Sequence, residues 1–135
     1  MTTTPAARPG STSTTATLIM TNLDCPDPSA LAGFYAAVLG WEITAQADEY
    51  AMIGDGHTSI GFGRVDGYTP PAWPDTDGGK RYHLDLYVDD LDRAEQSFGD
   101  LGATRPTFQP GGERWRVLLD PAGHPFCICP RPQDQ

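Results

Sequence analysis

Two short stretches of the chain carry chemically able side chains two residues apart: His83 with Asp85, and Cys127 with Cys129. On an extended strand, residues i and i+2 point to the same side. Each pair should therefore face one way, while Leu84, Leu86 and Val88 turn toward the helices. An imidazole is a side chain able to take up and give back a proton near physiological pH. With Asp85 to orient it, His83 is a candidate general base, and the competing reading is a hydrogen-bonded wall residue that simply touches a ligand. Soft thiolates beside His83 are donors for zinc or copper(I). The competing reading of Cys127 and Cys129 is that they are small buried apolar residues. A disulfide between them is disfavoured, because alternate side chains on one strand run parallel near the distance limit.

The aromatic residues add a second kind of chemistry. Trp41 follows a helix cap and reads as core. Trp73 sits among Pro70, Pro71 and Pro74, and Trp115 begins a strand beside Gly111-Gly112. Aromatic rings at the mouth of a cup can stack on a flat ligand, or they can merely pack the linker onto the sheet. His57 and His124 fall in turn sequences and read as surface or turn residues. No nucleophile elbow and no zinc-ribbon spacing is present. The glycine pairs carry no phosphate signal without a following helix.

The elements that must position these residues occur twice, about 63 residues apart, which implies two copies of one supersecondary unit. The first half reads as a strand over 17–23, a helix over 28–39 and a strand over 40–43. The second reads as a strand over 82–88, a helix over 91–101 and a strand over 102–104. In the first helix Asp27 can cap the free N–H groups and Pro28 loses no needed donor. Leu31, Phe34, Tyr35, Val38 and Leu39 form one stripe, and Gly40 supplies a left-handed end. In the second, Asp89 or Asp90 caps, Leu91, Ala94, Phe98 and Leu101 form the stripe, and Gly102 ends it. Further strands are predicted over 49–53 and 58–64, and over 115–119 and 125–129 around the turn Asp120-Pro121-Ala122-Gly123.

The predicted fold is therefore α+β. Two tandem βαβββ modules form a curved mixed sheet with a central cup and helices on the convex side. The first module covers about 17–65, a linker 66–80, and the second module about 81–130. Residues 1–16, rich in Thr, Ser and Pro, are expected to be a disordered tail, and 131–135 a C-terminal tail.

The totals exclude several classes. In 135 residues the net charge is −9, with basic residues scattered, so a nucleic-acid partner is not expected. No stretch reaches the length of a bilayer span, and the N-terminus lacks a secretory pattern. Membrane association is not expected. Three cysteines without scaffold spacing fit a cytoplasmic setting.

Three segments in order resemble one known group: Phe34-Tyr35-Ala36-Ala37-Val38-Leu39-Gly40-Trp41, His83-Leu84-Asp85-Leu86-Tyr87-Val88-Asp89-Asp90-Leu91, and Leu119-Asp120-Pro121-Ala122-Gly123-His124-Pro125-Phe126. The chain resembles the vicinal oxygen chelate superfamily of glyoxalase-like, bleomycin-resistance-like and extradiol dioxygenase-like proteins. The resemblance implies one divalent metal in the cup, held by four His, Gln or Glu side chains, two from each half. Carried over, the second-half positions fall on His83 and Cys127. The first-half positions fall on Met20, with Ile19 and Thr21 as slipped alternatives, and on Ile60, Gly61 or Phe62. His83 is thus the one conventional metal ligand retained. No cofactor is expected, with a divalent metal as the alternative.

The expectation is a small-molecule-binding protein with a degenerate metal site, sequestering or sensing an aromatic or drug-like ligand. Its ligand contacts would be Met20, Asn22, Trp73, His83, Asp85, Tyr87, Trp115 and Cys127. The alternative is a lyase, isomerase or dioxygenase with an atypical metal site, or with His83 and Asp85 as a metal-free acid–base pair. The resemblance also implies a homodimer.

Overall fold

In a computed structural model the protein is described over residues 15–74 and 82–132. The expected N-terminal tail up to residue 14, residues 75–81 of the linker and 133–135 of the C-terminal tail lie outside the described residues.

The first module is built from β1 (Thr21–Cys25), α1 (Pro28–Leu39), β2 (Glu42–Gln46), β3 (Tyr50–Gly54) and β4 (Ser59–Arg64). The second contains β5 (Leu84–Val88), α2 (Leu91–Asp100), β6 (Arg116–Leu119) and β7 (Pro125–Pro130). The first sheet has four strands in the order β1-β4-β3-β2, and the second has three in the order β5-β7-β6. In both, the opening strand runs parallel to the closing one: β1 beside β4 and β5 beside β7.

Helix α1 starts where its capping residues place it. The Asp27 carboxylate accepts from the Ala30 N–H at 3.2 Å, Pro28 is the first helical residue, and Gly40 ends the helix at φ 71°. That left-handed Gly40 pushes the next strand back, so β2 begins at Glu42 rather than at 40. The strand expected over 17–23 begins instead at Thr21. The ladder opens with Thr21 opposite Ile60, and its neighbour β4 starts only one residue earlier, at Ser59, so residues before Met20 have no residue of β4 beside them. Leu18 and Ile19 are left exposed there.

The predicted strand over 102–104 is the main correction. Of it there remains one bridge, Thr104 to Leu119. Pro106 follows two residues later and cannot donate to a ladder. The edge of β6 is satisfied by a side chain instead. The Gln109 amide accepts from the Val117 N–H at 2.9 Å and donates to the Val117 carbonyl at 2.9 Å. One amide thus pairs with β6 as a strand residue would, so the second module lacks its second strand.

The two modules share a single core. On α1, Leu31, Ala32, Phe34 and Tyr35 are buried. The Tyr35 ring stacks on Phe62 of β4 at 5.9 Å and meets Phe126 of β7 edge-on at 6.0 Å, with Phe34 at 4.9 Å. The Tyr35 hydroxyl donates to the buried Asp120 carboxylate at 2.6 Å. Asp120 also accepts from the N–H groups of Ala122 and His124, which fixes the β6–β7 turn. On α2 no side chain is fully buried. Its Leu91, Ala94 and Phe98 are partly buried against the core, while Leu101 of the expected stripe is exposed. Arg116 of β6 reaches across to Glu95 at 2.9 Å and Asp92 at 3.1 Å.

Candidate functional site

The β5–β7 ladder sets the geometry of the site. Asp85 lies directly opposite Cys127, and Tyr87 opposite Cys129. With His83 two residues before Asp85, one face of two neighbouring strands carries an imidazole, a carboxylate, a phenol and two thiols. This face opens into a concavity of about 580 Å³ lined by His83, Asp85, Leu86, Tyr87, Trp115, Cys127 and Cys129. Leu84 and Leu86 also pack against the core, and Val88 is buried in it, as the alternation predicts.

His83 Nε2 lies 3.2 Å from Asp85 Oδ1. The histidine side chain keeps 20% of its exposure and the aspartate 67%, so this pair is wet on one side, and its worth is that of a solvent-screened contact. It can still orient the imidazole, and it leaves the carboxylate reachable from the concavity. Cys127 is buried and Cys129 half-buried, and no disulfide links the cysteines. Burial raises the Cys129 thiol above its ordinary pKa, and the nearby Asp85 carboxylate raises it further, so Cys129 is held as the neutral thiol.

Trp115 owes its position to a glycine. A Cβ built on Gly111 would stand 2.3 Å from the indole Cδ2 and 2.6 Å from the Trp115 carbonyl oxygen, so only glycine lets the ring lie on the loop backbone. Gly111 was legible in the sequence as a loop glycine, but its service to Trp115 was not. Cys129 and Leu86 were also missed as lining residues. The period-two pattern that grouped Cys127 with Cys129 already held the signal for the first.

The other expected contacts lie elsewhere. Met20 borders a separate groove of about 210 Å³ with Leu18, Ile19 and His57. Asn22 reaches over Gly61 and Gly63 of its own module. Trp73 packs its ring against Phe108 at 5.9 Å. Its buried Nε1 has no hydrogen-bond partner among the described residues. None of the three is among the residues lining the concavity. His57 is a turn residue whose N–H bonds to Asp55. His124 does more than decorate a turn. Its Nε2 lies 2.7 Å from the Asp24 carbonyl, so that nitrogen carries the hydrogen, and 3.2 Å from the Tyr68 hydroxyl.

The four-donor metal ring implied by the resemblance does not fit these residues. In register, Asn22 faces Gly61 as Asp85 faces Cys127, which places Met20 where the second module has His83. A Cβ at Gly61 would meet Asn22 Oδ1 at 2.6 Å and Met20 Sδ at 2.7 Å. The first module therefore fills the donor position with a thioether and an amide and offers no carboxylate or imidazole there. The second offers a group outside the expectation that His83 stands alone: ligating atoms of His83, Asp85 and Cys127 lie within 4.8 Å of one another.

A sequence profile of the Glyoxalase-like domain matches residues 20–129. None of the curated proteins matches the chain significantly. Among solved structures, a glyoxalase/bleomycin resistance protein/dioxygenase family enzyme from Burkholderia phytofirmans PsJN is 22% identical. It covers 85% of this chain and 98% of its own, with a TM-score of 0.62. The bleomycin-binding protein of bleomycin-producing Streptomyces verticillus, solved with copper(II)-bleomycin, is 17% identical. It covers 88% and 100%, with a TM-score of 0.53. Lactoylglutathione lyase from Agrobacterium tumefaciens is 19% identical, covering 85% and 93% with a TM-score of 0.54. These likenesses are of fold. Among the described residues, no helix is long and apolar enough to cross a membrane.

Proposed function

From the premise that the chain belongs to the glyoxalase-like domain family, within the vicinal oxygen chelate superfamily, we propose that it binds a planar, aromatic or drug-like small molecule in the concavity of its second module. The observation that carries this reading is the lining itself. A space of about 580 Å³ falls in the range of drug-sized sites, roughly 300–1,000 Å³, which are mostly apolar with a few placed polar groups. Here Trp115 and Tyr87 supply the aromatic surface, and His83 with Asp85 supplies the polar anchor. A structural neighbour that holds copper(II)-bleomycin supports capture without turnover as a mode this fold can serve.

Two further features belong to the same reading. A cytoplasmic setting fits three cysteines that form no disulfide. A homodimer would cover the exposed Leu18, Ile19, Tyr82 and Tyr87, and light scattering on the purified chain checks it. The enzymatic alternative rests on the 3.2 Å pair of His83 and Asp85, which can hold and move a proton at His83. Fluorescence titration of a Trp41→Phe, Trp73→Phe variant, leaving Trp115 as the reporter, tests ligand capture. Saturable quenching by aromatic compounds, recovered as unchanged ligand, is the expected result. Conversion of the ligand, lost in His83→Ala, would favour the enzyme instead.

A further inference from the structure

We propose that the concavity of the second module selects a planar guest that carries a positive charge, with the Asp85 carboxylate as its counter-ion. The inference rests on the reading that this space captures an aromatic small molecule. It names the charge class of that guest and the residue that sets it.

The charges around the space all have one sign. Among the described residues that line it, Asp85 supplies the carboxylate and there is no lysine or arginine. Arginines of the same sheet are committed elsewhere: Arg116 of β6 to Asp92 and Glu95, and Arg131, just beyond β7, to Asp89. The Asp85 carboxylate is presented rather than used up. Its side chain is 67% exposed, and His83 Nε2 meets it through Oδ1 at 3.2 Å. A carboxylate accepts at about four lone-pair sites, so the imidazole leaves most of that capacity to a guest. After burial, it is the Asp85 charge that raises the Cys129 thiol above its ordinary pKa, so the field of this carboxylate reaches across the wall.

The aromatic groups nearby suit the same sign. Tyr87 follows two residues after Asp85 on one face of β5, and both it and Trp115 border the space. The faces of tyrosine and tryptophan rings are electron-rich and attract a cation within about 6 Å. An anion would meet both those faces and the carboxylate unfavourably. The chain as a whole carries a net charge of −9, so its long-range field draws cations in and turns anions away. A flat ring bearing a protonated or quaternary nitrogen answers each of these features, with the nitrogen at Asp85 and the ring beside Trp115. In the first module the corresponding register positions hold Met20, Asn22 and Gly61, which carry no charge.

Three probes of one three-ring shape separate charge from shape: an aminoacridinium cation, an uncharged hydroxymethylanthracene and an anthracenecarboxylate anion. Each is titrated at low ionic strength into the full chain carrying Trp41→Phe and Trp73→Phe, with Trp115 as the reporter. The expected order of affinity is cation, neutral, anion. The cation binds about 10-fold tighter than the neutral probe, as one charge-assisted contact supplies. Asp85→Asn brings that ratio close to one. Asp48→Asn, which removes the same charge from the exposed connection between β2 and β3, keeps it. With Asp85 in place the ratio also shrinks as salt is raised, because an exposed ion pair is screened, and this reading needs no substitution at the site. A neutral probe bound as tightly as the cation, or a preference that survives Asp85→Asn or falls equally in Asp48→Asn, would overturn selection by Asp85 while leaving capture standing. Absence of saturable quenching by all three probes would overturn the capture reading and this inference with it.

Discussion

The two modules present equivalent backbone positions with opposite contents. In the first, Met20, Asn22 and Gly61 close upon one another, since the space a side chain at Gly61 would need is taken by the other two. In the second, His83, Asp85 and Cys127 stand in the same register and line an open space with Trp115. Duplication of a fold thus fixes where side chains can go, and three residues decide which copy keeps an open concavity. The helices differ in a parallel way. Four apolar side chains of α1 (Leu31, Ala32, Phe34 and Tyr35) are buried in the shared core, whereas none on α2 is. The module that carries the concavity is therefore the less deeply anchored one.

The contrast between the helices makes the largest prediction. Phe34→Ala should cost about 3–5 kcal/mol, because the ring is almost wholly buried among Tyr35 and Phe126. Phe98→Ala on α2 should cost about 1 kcal/mol, a part of the roughly 1.5–3 kcal/mol for full burial. Denaturant melts of both variants check this, and equal losses would break the contrast.

Next in size is Tyr35→Phe. It removes the hydroxyl that donates to buried Asp120 across the modules. The expected loss is about 2 kcal/mol, as for a hydrogen bond to a charged group, again read from denaturant midpoints.

A pair of glycine substitutions then separates the two concave faces. Gly111→Ala should displace the Trp115 indole and weaken binding of an aromatic ligand about 10-fold, or about 1.4 kcal/mol. Gly61→Ala crowds Met20 and Asn22 but should leave that affinity unchanged. Titration by isothermal calorimetry compares them, and a loss on Gly61→Ala would erase the distinction between the faces.

The smallest effect is one of pH. Burial, with the Asp120, Cys25 and Asp24 charges adding, pushes the Tyr68 hydroxyl up to about 12, and its neutral form donates to the Ala122 carbonyl. A raised folded pKa means that this contribution is whole below the ordinary tyrosine value, near 10, and is lost as pH climbs through about 12. Tyr68→Phe should flatten that alkaline fall in stability, which thermal melts across the range would detect.

Much of this was legible in the chain, for local reasons. Asp27, Pro28 and Gly40 mark α1 at both ends, and the observed helix Pro28–Leu39 matches them. The shared face of His83, Asp85 and Tyr87 was legible through period two alone, and these residues line the concavity. What escaped was non-local. The start of β1 depends on where β4 begins, and the missing strand of the second module depends on a Gln109 amide that pairs with Val117. Met20 and Asn22 were expected in the cup because the repeat places them at the right offset. Their positions are equivalent, but the glycine opposite lets them fold down onto their own sheet.

The most direct test of the account is to map binding onto residues by amide and methyl chemical shifts while an aromatic ligand is titrated into the labelled chain. Saturable shifts gathered at His83, Asp85, Tyr87, Trp115 and Cys127, with Met20, Asn22 and Gly61 unmoved, are the predicted result. Shifts centred on Met20, Asn22 and Gly61 instead would contradict it.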